Sequence, residues 1–302
     1  MLQSVASITT KQYKLLKRND FPELLQQIHD CPKELHIDGV LPSGPAIAIV
    51  GTRKPTQYGR EQAYRLSYEL AEAGMTIVSG LAYGIDAIAH RAALDAGGKT
   101  IAVLGCGLDV CYPAANQALA RDIVAKGGAV LSEYQLKTPA LKHHFPARNR
   151  IISGFSLGVL VPEADARSGS LITALLALDQ NRTVLAVPGN ITSERSAGPN
   201  NLIRAGAVPV HRTADVWTGL GLQLPVANPP AGTVQPSQSS SQDAILDQLA
   251  RSAATTNQIA RQTGLSAAQV SARLIGLEVL GQVLSLGGGY WMIRPGSTSS
   301  TS

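Results

Sequence analysis

The densest concentration of chemistry-bearing side chains lies at 142–152, KHHFPARNRII, where Lys142, His143, His144, Phe145, Arg148 and Arg150 fall within nine residues. Arginine and lysine neutralise phosphates, and an exposed ring stacks on an unpaired base. A cation-rich segment with an aromatic inside it is therefore the composition of a surface that takes a single nucleic-acid strand; a duplex would hide the bases. The competing reading puts Phe145 in the core and Arg148 and Arg150 in structural ion pairs near Glu163. Arg148 and Arg150, two residues apart around a helix start, cannot face the same way, so one of them is a candidate for a purely structural role.

Three Gly-rich loops have the composition of anion sites. In VGTRKPTQYGR (50–60) a strand ends at Val50 and a helix begins near Tyr58. Gly51 lets a ligand approach the backbone, the amides of Gly51 and Thr52 lie ahead of a helix N-terminus, and Arg53 adds a forked donor suited to phosphate. The segment lacks GxxxxGK[ST], so triphosphate hydrolysis is not supported. SGLAYGIDAIAH (79–90) repeats the strand, loop and helix plan, with Gly80 and Gly84 freeing the backbone; Asp86 and His90, four apart on one helix, are a conceivable acid and base but more commonly a structural pair. In PEADARSGSLITA (162–174), Arg167, Ser168, Gly169 and Ser170 open a helix in the manner of a phosphate cradle. A further loop, GCGLDVCYP (105–113), has Val110 where the third glycine of GxGxxG belongs and no carboxylate at the ribose-gripping distance. It reads as a tight turn, not a dinucleotide site.

The elements that must position these loops follow from periodicity. Short β-branched runs at 46–50, 76–79, 100–105, 129–132, 157–161, 183–187 and 208–210 alternate with amphipathic segments at Gly59 to Ala73, Ile85 to Ala96, Asn116 to Lys126 and Ser170 to Asp179. The pattern predicts an α/β fold, a Rossmann-like doubly wound and mostly parallel sheet whose ligand crevice lies beyond the carboxyl ends of the strands. Residues 1–40 are a charge-neutral lead-in expected to pack on the sheet, and 41–225 form the Rossmann-like domain. The Pro, Ser and Gln-rich stretch 226–242 reads as a flexible linker. Residues 243–295 read as a small C-terminal winged-helix domain, and 296–302 as a disordered tail. The third helix of that domain carries only Arg273 as a cation, which favours packing or partner contact over reading DNA.

Composition bounds the rest. The 302 residues are 44% hydrophobic, enough for a proper core, with a net charge of +5. From 42 to 225 there are 17 Lys+Arg against 13 Asp+Glu, so the excess positive charge sits in the Rossmann-like part. No uninterrupted apolar run reaches 18 residues and the N-terminus lacks a secretory pattern, so the expectation is a cytoplasmic protein without a membrane partner. Cys31, Cys106 and Cys111 form neither a disulfide framework nor a metal signature. The residues themselves call for no cofactor and no metal.

Taken in order, VGTR, SGLAYGIDAIAH, GCGLDVCYP, FPARNRIISG, EADARSGSLITA, AVPGN and SAGPNNLIRAGA resemble the DNA-processing protein A (DprA/Smf) family over roughly residues 20–212. The resemblance implies a non-enzymatic, homodimeric protein that binds and protects single-stranded DNA and loads the RecA recombinase in recombination and natural transformation. It also implies that Arg53, Lys142 and Phe145 contact the strand. Many members carry an N-terminal SAM-like domain, of which only a remnant fits before residue 40, and many carry the winged helix. The alternative is a Rossmann-like phosphoribohydrolase with Glu163 as its acid, although that group's PGGxGTxxE motif is absent.

Overall fold

A computed structural model describes residues 13–223 and 243–295. The linker expected at 226–242, the tail expected at 296–302 and the first part of the lead-in lie outside the described residues. Seven parallel strands form the body of one sheet: β3 (Ala46–Ile49), β4 (Thr76–Ser79), β5 (Thr100–Leu104), β6 (Ala129–Ser132), β7 (Gly158–Val161), β8 (Thr183–Ala186) and β9 (Val208–Pro209). All seven coincide with the periodic runs in the sequence. The lead-in adds two more, β1 (Lys14–Lys17) and β2 (Glu34–Gly39), paired antiparallel with each other, and β2 pairs antiparallel with β6. The full order is β1-β2-β6-β5-β4-β3-β7-β8-β9. The lead-in thus extends the sheet at its edge.

The inner strands are buried on both faces, as continuous apolar runs in a parallel sheet require, and successive residues serve opposite layers. Ala46 and Ala48 face a core built with Ile151 and Ile152 of α5 (His144–Gly154), with Phe155 just after it, and with Ala174 and Ala177 of α6 (Gly169–Asp179). The short α1 (Glu23–Gln26) adds Leu25 to the same layer. Ile47 and Ile49 face α2 (Gln57–Glu72) and α3 (Ile85–Asp95) through Leu66, Leu70, Ile85 and Ala89. Beside them α4 (Gln117–Ala125) packs Leu119 and Ile123 on β5 and β6. Two further helices, α7 (Ala197–Arg204) and α8 (Thr213–Gly219), flank the far edge. From β3 the chain runs into α2 on one face, and from the neighbouring β7 into α6 on the other. That reversal opens a crevice at the carboxyl ends of β3 and β7, the place where doubly wound sheets bind ligands.

The C-terminal unit has α9 (Asp243–Arg251), β10 (Ala254–Thr255), α10 (Thr256–Thr263), α11 (Ala267–Val279) and a wing of β11 (Val283–Gly287) and β12 (Tyr290–Ile293). Capping boxes at Thr255/Gln258 and Ser266/Gln269 start α10 and α11, and Gly264, at φ 69°, makes the left-handed turn between them. Ala253, Leu284 and Met292 of this unit pack on Tyr64, Tyr68 and Ala92 of α2 and α3. Burial there pushes the Glu61 carboxyl up, opposed by the amide of Ala253, which donates to it at 3.4 Å, and by the charge of Arg65. α11 exposes Ile275 and Val279, an apolar surface in place of a row of cations.

His90 of α3 is fully buried, with Nδ1 2.6 Å from Thr100 Oγ1. Thr100 Oγ1 donates to the Ile77 carbonyl, so it accepts the Nδ1 proton. Burial, reinforced by the charge of Arg148, pushes the imidazole down from 6.5 to about 3. Below pH 6.5 the unfolded chain therefore binds a proton that the folded chain refuses. Stability is lost across that window by roughly 1.4 kcal/mol per pH unit at most. Urea midpoints measured from pH 7.5 to pH 4.5 are expected to fall less steeply for His90→Asn than for the parent chain; parallel profiles would show that His90 does not carry this share of the acid loss.

Candidate functional site

The crevice is a cleft of about 720 Å³. Three segments supply its walls: the loop after β3 with Gly51, Thr52 and Arg53; the start of α5 with Lys142, Phe145 and Arg148; and the N-terminus of α6 with Ser168, Gly169 and Ser170. Gly80 lines a small recess alongside it. Ten of the eleven residues singled out as strand contacts thus meet at one place, although they are up to 119 positions apart in the chain. Arg150 does not join them. Its guanidinium makes a two-bond pair with Glu133 at 2.6 and 2.9 Å and a further contact with Asp30 at 2.9 Å, tying α5 to the β6 exit and to the lead-in.

The loop after β3 is held from below by Glu163, just past β7. The backbone oxygen of Glu163 accepts from the Thr52 amide at 2.8 Å, and its carboxylate accepts from the Thr56 amide at 2.8 Å and the Thr56 hydroxyl at 2.5 Å. Gly51 and Gly59 are glycine because a Cβ at either would strike Glu163. Glu163 is 1% exposed with both oxygens engaged, which makes it a peg and leaves it unsuited to protonating a substrate.

At α6, Ser168 caps the helix by accepting from the Ser170 amide at 3.3 Å. Nothing lies within 4 Å of where a Cβ on Gly169 would stand, so the backbone at the helix N-terminus, with its positive dipole end, opens to the cleft. Arg53, Lys54 and Lys142 are exposed at the rim, and among the described residues none has a carboxylate partner. Phe145 is half-buried, not part of the core, and the Arg53 guanidinium carbon sits 5.7 Å from its ring centroid.

Arg148 is 4% exposed and forms the floor. Its guanidinium donates to the Val103 carbonyl and lies over Gly80, where a Cβ would collide with it. Burial lowers its pKa to about 10, with Asp86 opposing the drop, so it stays charged at neutral pH. Burial raises the Asp86 carboxyl, and Arg148 and the Gly80 and Ala82 amides, at 3.1 and 3.4 Å, oppose that rise. Asp86 and His90 therefore serve separate structural partners and do not act on a common atom.

With this geometry in view, the chain compares directly with known proteins. Residues 12–221 match the DNA recombination-mediator protein A family, and residues 229–289 match the DprA winged helix domain. The chain belongs to the DNA recombination-mediator protein A family. It is 38% identical to Protein Smf of Escherichia coli over 284 residues, covering 91% of this chain and 75% of that protein. It is 44% identical to DNA processing protein DprA of Bacillus subtilis over 216 residues, 70% of each. Among solved structures it is similar to DNA processing protein A of Streptococcus pneumoniae, with a TM-score of 0.64, 43% identity and coverage of 69% of this chain and 74% of that one. It is also similar to DNA processing protein A of Helicobacter pylori, described with its single-stranded DNA binding mode, with a TM-score of 0.63, 34% identity and coverage of 69% and 95%.

Beyond the residues that sequence reasoning selected, this family member's cleft contains Lys54, Tyr112 and Arg195. Arg195 reaches Thr52 Oγ1 at 2.9 Å and Asp165 at 3.2 Å, bridging the β3 loop to the start of α6. No spacing in 187–207 marks it. Lys54 follows Arg53 in VGTRKPTQYGR, and only the fold shows that it has no carboxylate partner among the described residues. Among the described residues no group of His, Cys, Asp or Glu is placed to hold a metal, and no helix is long and apolar enough to cross a membrane. The cysteines are free, with Cys106 buried and Cys31 and Cys111 half-buried.

Proposed function

We propose that this chain is a cytoplasmic, non-enzymatic protein that binds and protects single-stranded DNA. The observation that carries this reading is the convergence of three unpaired cations, Arg53, Lys54 and Lys142, and an open helix N-terminus beside a half-exposed phenylalanine. Phosphates of one strand pass over the cations and the positive N-terminal end of α6, while Phe145 offers a face to a base. Gly51, Ser168, Gly169 and Ser170 bring the backbone close, Thr52 and Gly80 support the cleft from beneath as anchors for Glu163 and Arg148, and Arg148 supplies a fixed positive floor. The single-stranded DNA binding described for the Helicobacter pylori relative supports the same ligand here. Family membership supports the finer parts of the reading: a homodimer that loads the RecA recombinase in recombination and natural transformation. Its domains are a Rossmann-like binding body over 41–225, extended by the lead-in, and a winged helix over 243–295.

Labelled oligo-dT and a duplex of equal length, titrated with the full chain and followed by fluorescence anisotropy, test the reading. The single strand is expected to bind at least tenfold tighter, since only it presents base faces. Equal affinity, or preference for the duplex, would overturn it.

A further inference from the structure

The chain holds 3 phenylalanines, 2 tryptophans and 8 tyrosines, and three of these rings line one recess beside the phosphate cleft. They arrive from three segments: Tyr83 from the loop after β4, Tyr112 from the loop after β5, and Phe145 from α5. We propose that Tyr83 and Tyr112 complete, with Phe145, a base-stacking platform, so that the site binds unpaired nucleobases on three rings as well as phosphates. This rests on the single-strand reading and extends it to the bases.

Two observations separate these tyrosines from the structural ones. The structural rings anchor their hydroxyls: Tyr58 to the Pro188 carbonyl at 2.6 Å, Tyr64 to Asp95 at 2.9 Å. Tyr83 and Tyr112 have no hydroxyl partner among the described residues and, at 49% and 45% exposed, present ring surface to solvent beside the cleft. The rings are also already arranged around the cation. Tyr112 and Phe145 lie 5.5 Å apart with planes tilted by 42°, and Arg53 stands over Phe145. A phosphate held by Arg53 therefore delivers its neighbouring bases to this wall. The space enclosed between the rings is about 10 Å³, room for one water at most, so bases rest on the outer ring faces and none is swallowed. Ring faces accept any base, which gives affinity for single strands without sequence preference.

Strands with and without bases separate this role from a structural one. The full chain and its Tyr112→Ala, Tyr83→Ala, Tyr112→Phe and Arg53→Ala variants are titrated with oligo-dT and with an abasic oligomer of the same length. Tyr112→Ala is expected to weaken oligo-dT binding by about tenfold and leave the abasic strand unchanged, with Tyr83→Ala acting in the same direction and Tyr112→Phe matching the parent. Arg53→Ala weakens both strands. The platform is refuted if Tyr112→Ala binds oligo-dT like the parent, or if it weakens both strands alike, because the ring would then act by holding Arg53 or the loop. A parent chain that binds neither strand would bring down the single-strand reading itself, a result distinct from a loss confined to the tyrosines.

Discussion

Arg148→Met is expected to destabilise the fold by about 3–5 kcal/mol, read as a shift of the urea midpoint at pH 7.5. Methionine fills much of the volume but leaves Asp86, 7% exposed, without the guanidinium that opposes its desolvation, and removes the donor to the Val103 carbonyl. The sign with pH follows from Asp86. Its carboxyl is already raised by burial, and losing Arg148 raises it further, so the folded variant takes up a proton at a higher pH than the unfolded chain. The deficit is therefore full at neutral pH and shrinks as pH falls. Adding Asp86→Asn to Arg148→Met should recover a large part of the loss by removing the stranded charge. A deficit below about 1 kcal/mol would mean that Asp86 does not depend on the Arg148 charge and that the floor of the cleft is not held by that electrostatic coupling.

Arg53→Ala is expected to weaken single-strand binding by about 10- to 100-fold at moderate salt while leaving stability within about 0.5 kcal/mol of the parent. The residue is exposed, has no carboxylate partner among the described residues, and its loss opens no cavity. On a log-log plot of affinity against salt, the slope should become shallower by about 0.7, the share of one neutralised phosphate on a single strand. Arg150→Ala supplies the contrast. Its guanidinium is committed to Glu133 and Asp30 and stands away from the cleft, so its loss should lower stability and leave the salt slope unchanged. If Arg150→Ala flattened the slope and Arg53→Ala did not, the assignment of the two arginines would be reversed.

How far the sequence spoke depended on how local the signal was. The parallel strands were legible because those from β3 to β8 are short, largely apolar and β-branched runs that are almost wholly buried, and the loops at their ends were legible because glycine, serine and arginine cluster there. β1 and β2 escaped notice because KLLK and ELHIDG mix charges into short segments covered on one face only, with Leu35 and Ile37 buried and Glu34 and His36 half-exposed. The directions of Arg148 and Arg150 were beyond any local pattern: α5 turns one under the cleft and the other toward Glu133, which lies 17 residues earlier. Tyr112 has no local signal of its own in GCGLDVCYP, whose glycine pattern fails as a dinucleotide motif while its aromatic end reaches the cleft. Glu163 was visible as a carboxylate after a strand, but its role as a peg depends on Thr56, 107 residues away.

The most direct test of the central claim is the salt dependence of oligo-dT binding by the unmodified chain. Three unpaired cations at the rim, each releasing counterions from one phosphate, predict that the logarithm of the association constant falls with the logarithm of salt at a slope of about −2 or steeper. A complex whose affinity stays flat from 50 to 300 mM salt, roughly a slope of zero, would contradict a phosphate-binding cleft.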